Sequence, residues 1–200
     1  MTDSFLTIAK AEEGLFKDKG SKFIAYAFPV ETEEEIKEHI DQLKKSHHSA
    51  RHHCYAWRLG ASMKHFRAND DGEPSSTAGK PILGQIRRLN LTNVLVVVVR
   101  YFGGTLLGVS GLINAYKESA ADVLERATIV EKLVETKFQV YFDYPNMNPV
   151  MRLFKEEGLK QHENQFELRC KITSSVRKSE AERIIEKLKK IEGVEIVVVE

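Results

Sequence analysis

The sequence predicts an α+β protein of two domains, and two stretches predict it. Val94–Val99 is an unbroken run of branched aliphatics, followed by Arg100, Tyr101, Phe102 and a pair of glycines. A run without a polar residue reads as a strand buried on both faces. The last stretch of the chain orders strand, helix, strand, strand, helix and strand within about seventy residues, the split βαβ pattern.

Taken in order, Phe5–Ala9 and Gly14–Phe28 read as a hairpin or meander, with Asp18-Lys19-Gly20-Ser21 as a turn. Pro29 stops the strand. Thr32-Glu33-Glu34-Glu35 is a helix start: a Thr N-cap, a Glu three residues on and acids in the first turn. Ile36, Ile40 and Leu43 mark its inner face through about Ser46. His53–Leu59 alternates as a strand, with Cys54, Ala56 and Arg58 on one side and His53, Tyr55 and Trp57 on the other. Met63–Ala68 returns as a second strand. Asn69–Pro74 is a loop, and Ser75, Ser76 or Thr77 is placed to cap the helix that carries Ile82, Leu83, Ile86 and Leu89. After the buried strand, Gly103 and Gly104 turn the chain. Gly108 and Gly111 open a helix that runs to about Arg126.

The boundary between domains is expected within Arg126–Glu131, which divides the chain into 1–128 and 129–200. Beyond it, Val134–Tyr144 alternates Phe138, Val140 and Phe142 as a strand. Asn146–Glu157 is a helix ended by Gly158. Leu159–His162 and Phe166–Ser174 pair around Glu163-Asn164-Gln165. Arg177–Ile191 is an amphipathic helix, and Val194–Val199 is the last strand.

Composition bounds the function. The chain has 200 residues, 42% hydrophobic and 30% charged, which suits packed cores under a soluble surface. No apolar run approaches the roughly 20 residues needed to cross a bilayer. The N-terminus shows no secretory signal, so a cytoplasmic protein with no membrane partner is expected, and Cys54 and Cys170 read as free thiols. Net charge is only +1, which excludes a globally basic nucleic-acid binder. The charge is unevenly placed. Met1–Leu43 carries 5 Lys and Arg against 10 Asp and Glu, whereas Lys44–Arg100 carries 10 against 3. A basic middle could face a polyanion; it could equally scatter over a solvated exterior.

Several stretches resemble chemical motifs and miss them. Gly72–Lys80 has six residues between its glycines rather than four, and Pro81 stands where a phosphate loop needs Ser or Thr. What survives is a helix start rich in donors, able to hold one anion or simply to cap itself. Gly103, Gly104, Gly108 and Gly111 have the strand-turn-helix setting of a dinucleotide site without its spacing. Glycines here mean that something approaches the backbone closely, either another element or an anion. His47, His48, His52 and His53 with Cys54 lack the second ligand pair of a zinc site, so no metal is expected. Asp70, Asp71 and Glu73 could act as acid and base or bind a hard cation, but a turn needs them for neither purpose. No catalytic residue and no cofactor is assigned.

Three motifs follow one another: Ala50-Arg-His-His-Cys-Tyr-Ala-Trp-Arg58, Asp70-Asp-Gly-Glu-Pro-Ser-Ser-Thr-Ala-Gly79 and Val99-Arg-Tyr-Phe-Gly-Gly-Thr105. In these the chain resembles the YigZ/IMPACT family in its bacterial two-domain form, over essentially its whole length. It departs at Leu106, where many relatives have lysine, and at Ser76 and Ser110, where glycine is common. The resemblance implies an N-terminal βαβ domain like those of ribosomal proteins and elongation factors, with a left-handed crossover. It implies a C-terminal domain similar to the ferredoxin-like last domain of elongation factor G. Eukaryotic relatives regulate translation initiation under amino-acid starvation, by competing for an activator of an initiation-factor kinase.

Two functions are therefore expected to compete. In the first, the chain is a non-enzymatic module that meets RNA, the ribosome or a translation-regulatory protein through Arg51, His52, His53, Arg58, Arg87 and Arg88. In the second, an enzyme or phosphate-ligand binder uses Ser75, Ser76, Thr77, Gly79 and Lys80 with Arg100, Gly103, Gly104 and Thr105. There Asp71 or Glu73 would act on the ligand. Both need the loop at 70–80 and the turn at 103–111 to converge on a positive hollow.

Overall fold

The computed structural model describes residues 3–199. It is an α+β protein whose described residues form two compact units, Phe5–Lys132 and 133–199, the latter taking in Asp3 and Ser4.

In the larger unit a five-stranded sheet is built from β2 (Glu12–Asp18), β3 (Ser21–Pro29), β4 (His52–Leu59), β5 (His65–Asn69) and β6 (Val94–Tyr101). Their spatial order is β2-β3-β6-β4-β5, and every neighbouring pair is antiparallel. The aliphatic run lands at the centre, with Val94 to Val99 fully buried. Its side chains divide by parity. Val94, Val96 and Val98 join one core with helices α2 (Gly79–Arg88) and α3 (Gly108–Arg126); Leu95, Val97 and Val99 join another with α1 (Glu33–Ser46). A strand covered on both sides has no solvent face to mark with polar residues.

β3 and β4 both run against β6 and so are parallel to each other, and α1 makes the crossover between them. Thr32 caps α1 by accepting from the Glu35 N–H (3.2 Å), while the Glu35 carboxylate accepts from the Glu31 N–H (2.7 Å). A further strand, β1 (Ser4–Ile8), does not join the β2–β3 hairpin in the meander expected of it. It forms a two-stranded sheet with β7 (Ile129–Leu133), tied also by the Ala9 N–H to the Thr128 carbonyl at 2.8 Å. Alternation within Phe5–Ala9 specifies a strand but not its partner.

The smaller unit holds β8 (Glu135–Asp143), a 3-10 turn at Tyr144–Asn146, α4 (Met147–Glu156), β9 (Lys160–Phe166), β10 (Arg169–Arg177), α5 (Lys178–Lys189) and β11 (Glu195–Val199). The sheet order β11-β8-β10-β9 is the ferredoxin-like arrangement. Phe138, Val140 and Phe142 of β8 and Ile172 of β10 pack under Val150 and Phe154 of α4 and Ile184 and Leu188 of α5. One connection differs from expectation. Glu163, Asn164 and Gln165 are not a turn but the middle of β9, with Phe166 opposite Cys170. The turn is Glu167-Leu168. β9 is an exposed edge strand, so its residues are polar for want of a core, and polarity alone imitates a turn.

No helix among the described residues is long and apolar enough to cross a membrane.

Candidate functional site: a basic hollow at one end of the sheet

The three acidic side chains of the 70–73 loop each have an internal task. Asp70 caps α2. Its carboxylate accepts from the N–H groups of Ser76 (2.8 Å), Ala78 (3.0 Å) and Gly79 (2.8 Å). Burial acts to raise the Asp70 carboxyl, but those three donors and the Lys80 ammonium outweigh it and hold the group below the usual carboxylate range. The expectation that Ser75, Ser76 or Thr77 caps this helix is corrected. The N-cap position is Ala78, and no cap bond comes from its own side chain. The anion at this helix start is supplied by the chain itself.

Asp71 reaches β4. It accepts from the His53 N–H at 2.7 Å and lies 3.7 Å from the Lys44 ammonium. Its carbonyl lies 2.9 Å from the His52 Nδ1. His53 itself is buried, and burial lowers its pKa despite the nearby Asp71 carboxylate, so the imidazole is neutral near pH 7.

Glu73 makes the deepest contact. Its side chain is only 4% exposed and sits 2.6 Å from the Arg100 Nη1, whose side chain is 8% exposed. The Tyr116 hydroxyl of α3 donates to the same carboxylate oxygen at 2.8 Å. The Cys54 thiol lies 3.3 Å from that hydroxyl and 3.0 Å from the Asp70 carbonyl. Burial pushes both the thiol and the Tyr116 phenol upward, so both stay protonated. A buried ion pair of this kind contributes little net stability, but removing one partner strands the other charge. The loop is therefore fastened to the end of β6 and to α3.

The glycine turn after β6 is shaped by the β2–β3 hairpin. Gly103 lies so close to it that an added Cβ would stand 1.9 Å from the Gly20 carbonyl carbon, and its N–H donates to the Ser21 hydroxyl at 3.1 Å. Gly104 adopts φ +88° and Gly108 φ +71°, which favour glycine. The close approach expected of the glycines is found at Gly103, where the chain's own backbone makes it; a Cβ at Gly104 or Gly108 would meet nothing within 4 Å, and one at Gly111 only the Leu107 side chain.

Next to this turn lies a hollow of about 630 Å³ lined by Ser49, Arg51, His52, Arg100, Tyr101, Phe102 and Leu106. Arg100 forms part of its wall, with its guanidinium 5.6 Å from the Phe23 ring and 5.7 Å from the Phe102 ring. The Arg100 Nε is buried and has no hydrogen-bond partner among the described residues. Phe102 is 57% exposed and Leu106 83%. A second hollow, about 380 Å³, shares Tyr101 and Phe102 and adds Gly20, Lys22 and Ile24. Tyr101 is held from behind, its hydroxyl 2.8 Å from the His47 Nδ1; the His47 Nε2 lies 2.8 Å from the Tyr26 hydroxyl.

The residues expected to meet a partner are thus divided. Arg51, His52 and Arg100 come together here. Arg58, Arg87 and Arg88 lie toward the other end of β4, because His52 faces Arg100 whereas Arg58 faces Val94. Six residues of strand separate the two ends by roughly 20 Å. There Arg58 donates to the Met63 carbonyl, Arg87 lies over the Phe66 ring, and Arg88 pairs with Glu125. Ser76, Ala78 and Gly79 give their N–H groups to Asp70, while Thr77 is buried with its hydroxyl donating to the Pro74 carbonyl. Ser75 and Lys80 are exposed and line neither hollow; Thr105 is exposed in the glycine turn. Sequence reasoning misses Ser49 and Leu106 as parts of the hollow and Tyr116 as its anchor. An apolar Leu106 in the turn opened by Gly103-Gly104-Thr105 is the signal that could have found the surface.

Comparison with known proteins agrees with this architecture. Residues 19–124 match the family described as the Impact N-terminal domain. The chain is 36% identical over 156 residues to the IMPACT family member YvyE of Bacillus subtilis, covering 78% of this chain and 72% of that protein. It is 35% identical over 137 residues to YigZ of Escherichia coli, covering 68% and 67%. A crystal structure described as that of a hypothetical protein superposes with a TM-score of 0.77 at 27% identity, covering 100% of this chain and 99% of the other. The motifs, the Arg100–Glu73 fastening they build and these likenesses converge: the chain belongs to the IMPACT family.

Proposed function

We propose that this chain is a cytoplasmic binding module of translation regulation. In this reading the domain spanning 1–128 docks a component of the translation machinery at the Arg51–Arg100 end of its sheet, and 129–200 is a separate ferredoxin-like domain. One observation carries the reading. Every carboxylate of the 70–73 loop is engaged within the fold, Asp70 at the start of α2, Asp71 on the His53 N–H and Glu73 on Arg100, so the lining of the hollow offers cations, an imidazole and apolar side chains but no carboxylate. Family membership and the regulatory role of eukaryotic relatives supply the biological setting.

The test is sedimentation of the chain with ribosomes, and pull-down with purified initiation and elongation factors, at low and high salt. Association that weakens with salt and falls in Arg51→Glu and Phe102→Ala is expected. Absence of association, or association indifferent to both substitutions, overturns the reading.

A second reading has one observation in its favour, the unpartnered Arg100 Nε in the wall. A small phosphorylated ligand would satisfy it. A thermal-shift screen of nucleotides and sugar phosphates decides, since a bound ligand raises Tm with concentration. Flat responses remove this reading.

A further inference from the structure

We propose that Phe102, Leu106, Val109 and Ile113, flanked by Arg51 and Lys22, dock an acidic amphipathic helix of a protein partner. The inference rests on the reading above and names the partner's class. Phe102, Leu106 and Val109 are more than half exposed and Ile113 is 38% exposed. Val109 and Ile113 are four residues apart and share one side of α3, and Leu106 stands in the turn that leads into it. None of the four belongs to either core of the unit, and the Phe102 ring meets the Arg100 guanidinium at 5.7 Å. Leu106 stands where a hydrophobic residue folds back onto the fourth helical position, but that position is Gly111, which has no side chain to receive it. The core of the unit is built from the other side of α3, at Leu112, Ala115, Tyr116, Ser119 and Ala120.

Charge decides among the occupants. Arg51 and Lys22 border the two hollows that meet at Phe102, and neither makes an ion pair with another described residue. The Arg100 charge is already matched by Glu73. Two unmatched cations are few for a nucleic acid, whose affinity comes from many phosphate contacts. Three of the four apolar side chains are aliphatic and offer no ring for a base to stack on. A second copy of this chain, related by a two-fold axis, would present the same patch, whose two bordering charges are cations and which supplies no carboxylate to match them. Carboxylates bordering an apolar stripe complement what remains, in the manner of a helix laid in a groove.

Fluorescence anisotropy tests this with the 200-residue chain and a labelled peptide of about 18 residues, leucines on one face and glutamates on the others. A control peptide has lysine at every glutamate, and a second probe is a single-stranded RNA of similar length. The acidic peptide is expected to bind. Leu106→Glu should weaken it about tenfold or more, as loss of a central anchor does. Arg51→Glu should weaken the acidic peptide and strengthen the basic one. Both positions are exposed, so unchanged thermal melts verify that the variants are folded. Equal binding of both peptides, binding of neither, or indifference to Leu106→Glu overturns the inference. So does RNA binding that Arg51→Glu abolishes and Leu106→Glu leaves intact. In those cases association with ribosomes or factors that still depends on Arg51 leaves the proposed function standing.

Discussion

At the start of α2, three backbone N–H groups point at Asp70, and the helix begins inside a closed system of bonds. At the start of α3, no side chain caps the helix, and Leu106 and Val109 stand in solvent. In sequence the two regions look alike: small residues and glycines leading into a helix, each with the makings of an anion site. They differ in whether the chain brings its own acceptor. A helix start counts as available only when no carboxylate of the same chain already occupies it. By that measure α2 is closed and the surface beside α3 is open.

Four substitutions can break or sharpen this contrast. The largest effect is expected from Glu73→Ala, which leaves the Arg100 charge buried without a partner. Stability should fall by about 3–5 kcal/mol in urea unfolding. A loss below about 1 kcal/mol would mean that Arg100 finds water, and that the loop is not fastened as described.

Gly103→Ala comes next. The new Cβ has the Gly20 backbone in its way and cannot be relieved by a rotamer change. A loss of about 1–3 kcal/mol is expected, measured the same way. Wild-type stability would show that the hairpin tip yields.

Asp70→Ala removes the cap and should cost about 0.5–2 kcal/mol. It also tests the contrast directly. The vacated N–H groups should make sulfate raise the Tm of the variant more than that of the parent. The pH dependence has a definite sign. The Asp70 pKa is depressed in the folded state, so its contribution is present above the unfolded value near pH 4 and is lost as the pH falls through the folded one. The variant should lose that part of the acid slope. The smallest effect is expected at Leu106→Lys, within about 0.5 kcal/mol of the parent, because the side chain touches little. A larger loss would mean that Leu106 is a structural residue and not a surface for others.

Much of the fold was legible because its signals are periodic. The VLVVVV run carries its burial on its face, Thr32 with Glu35 announces α1, and Phe138, Val140 and Phe142 announce the inner side of the second sheet. The site was legible only in part. Asp70 and Glu73 look like turn residues because the sequence shows a carboxylate without showing what it will reach. Glu73 meets Arg100 across 27 positions, and Tyr116 across 43. Such partners are set by tertiary packing rather than by local pattern. The same applies to Arg58, Arg87 and Arg88, which count as basic residues in composition yet lie at the far end of the sheet from Arg51. Local pattern misassigns the partner of β1 and the boundary of the polar β9, and it misses β7 altogether, where only a domain boundary is expected.

The thiol of Cys54 gives the acidic loop a clock. It is buried, it stays protonated, and two of its neighbours, the Asp70 carbonyl and the Tyr116 hydroxyl, belong to the assembly that holds the loop down. A protonated, enclosed sulfur is a poor nucleophile. An alkylating reagent can reach it only during the moments when the packing around it opens, so the labelling rate of this one atom, read apart from that of the buried Cys170, times those moments with no change to the sequence.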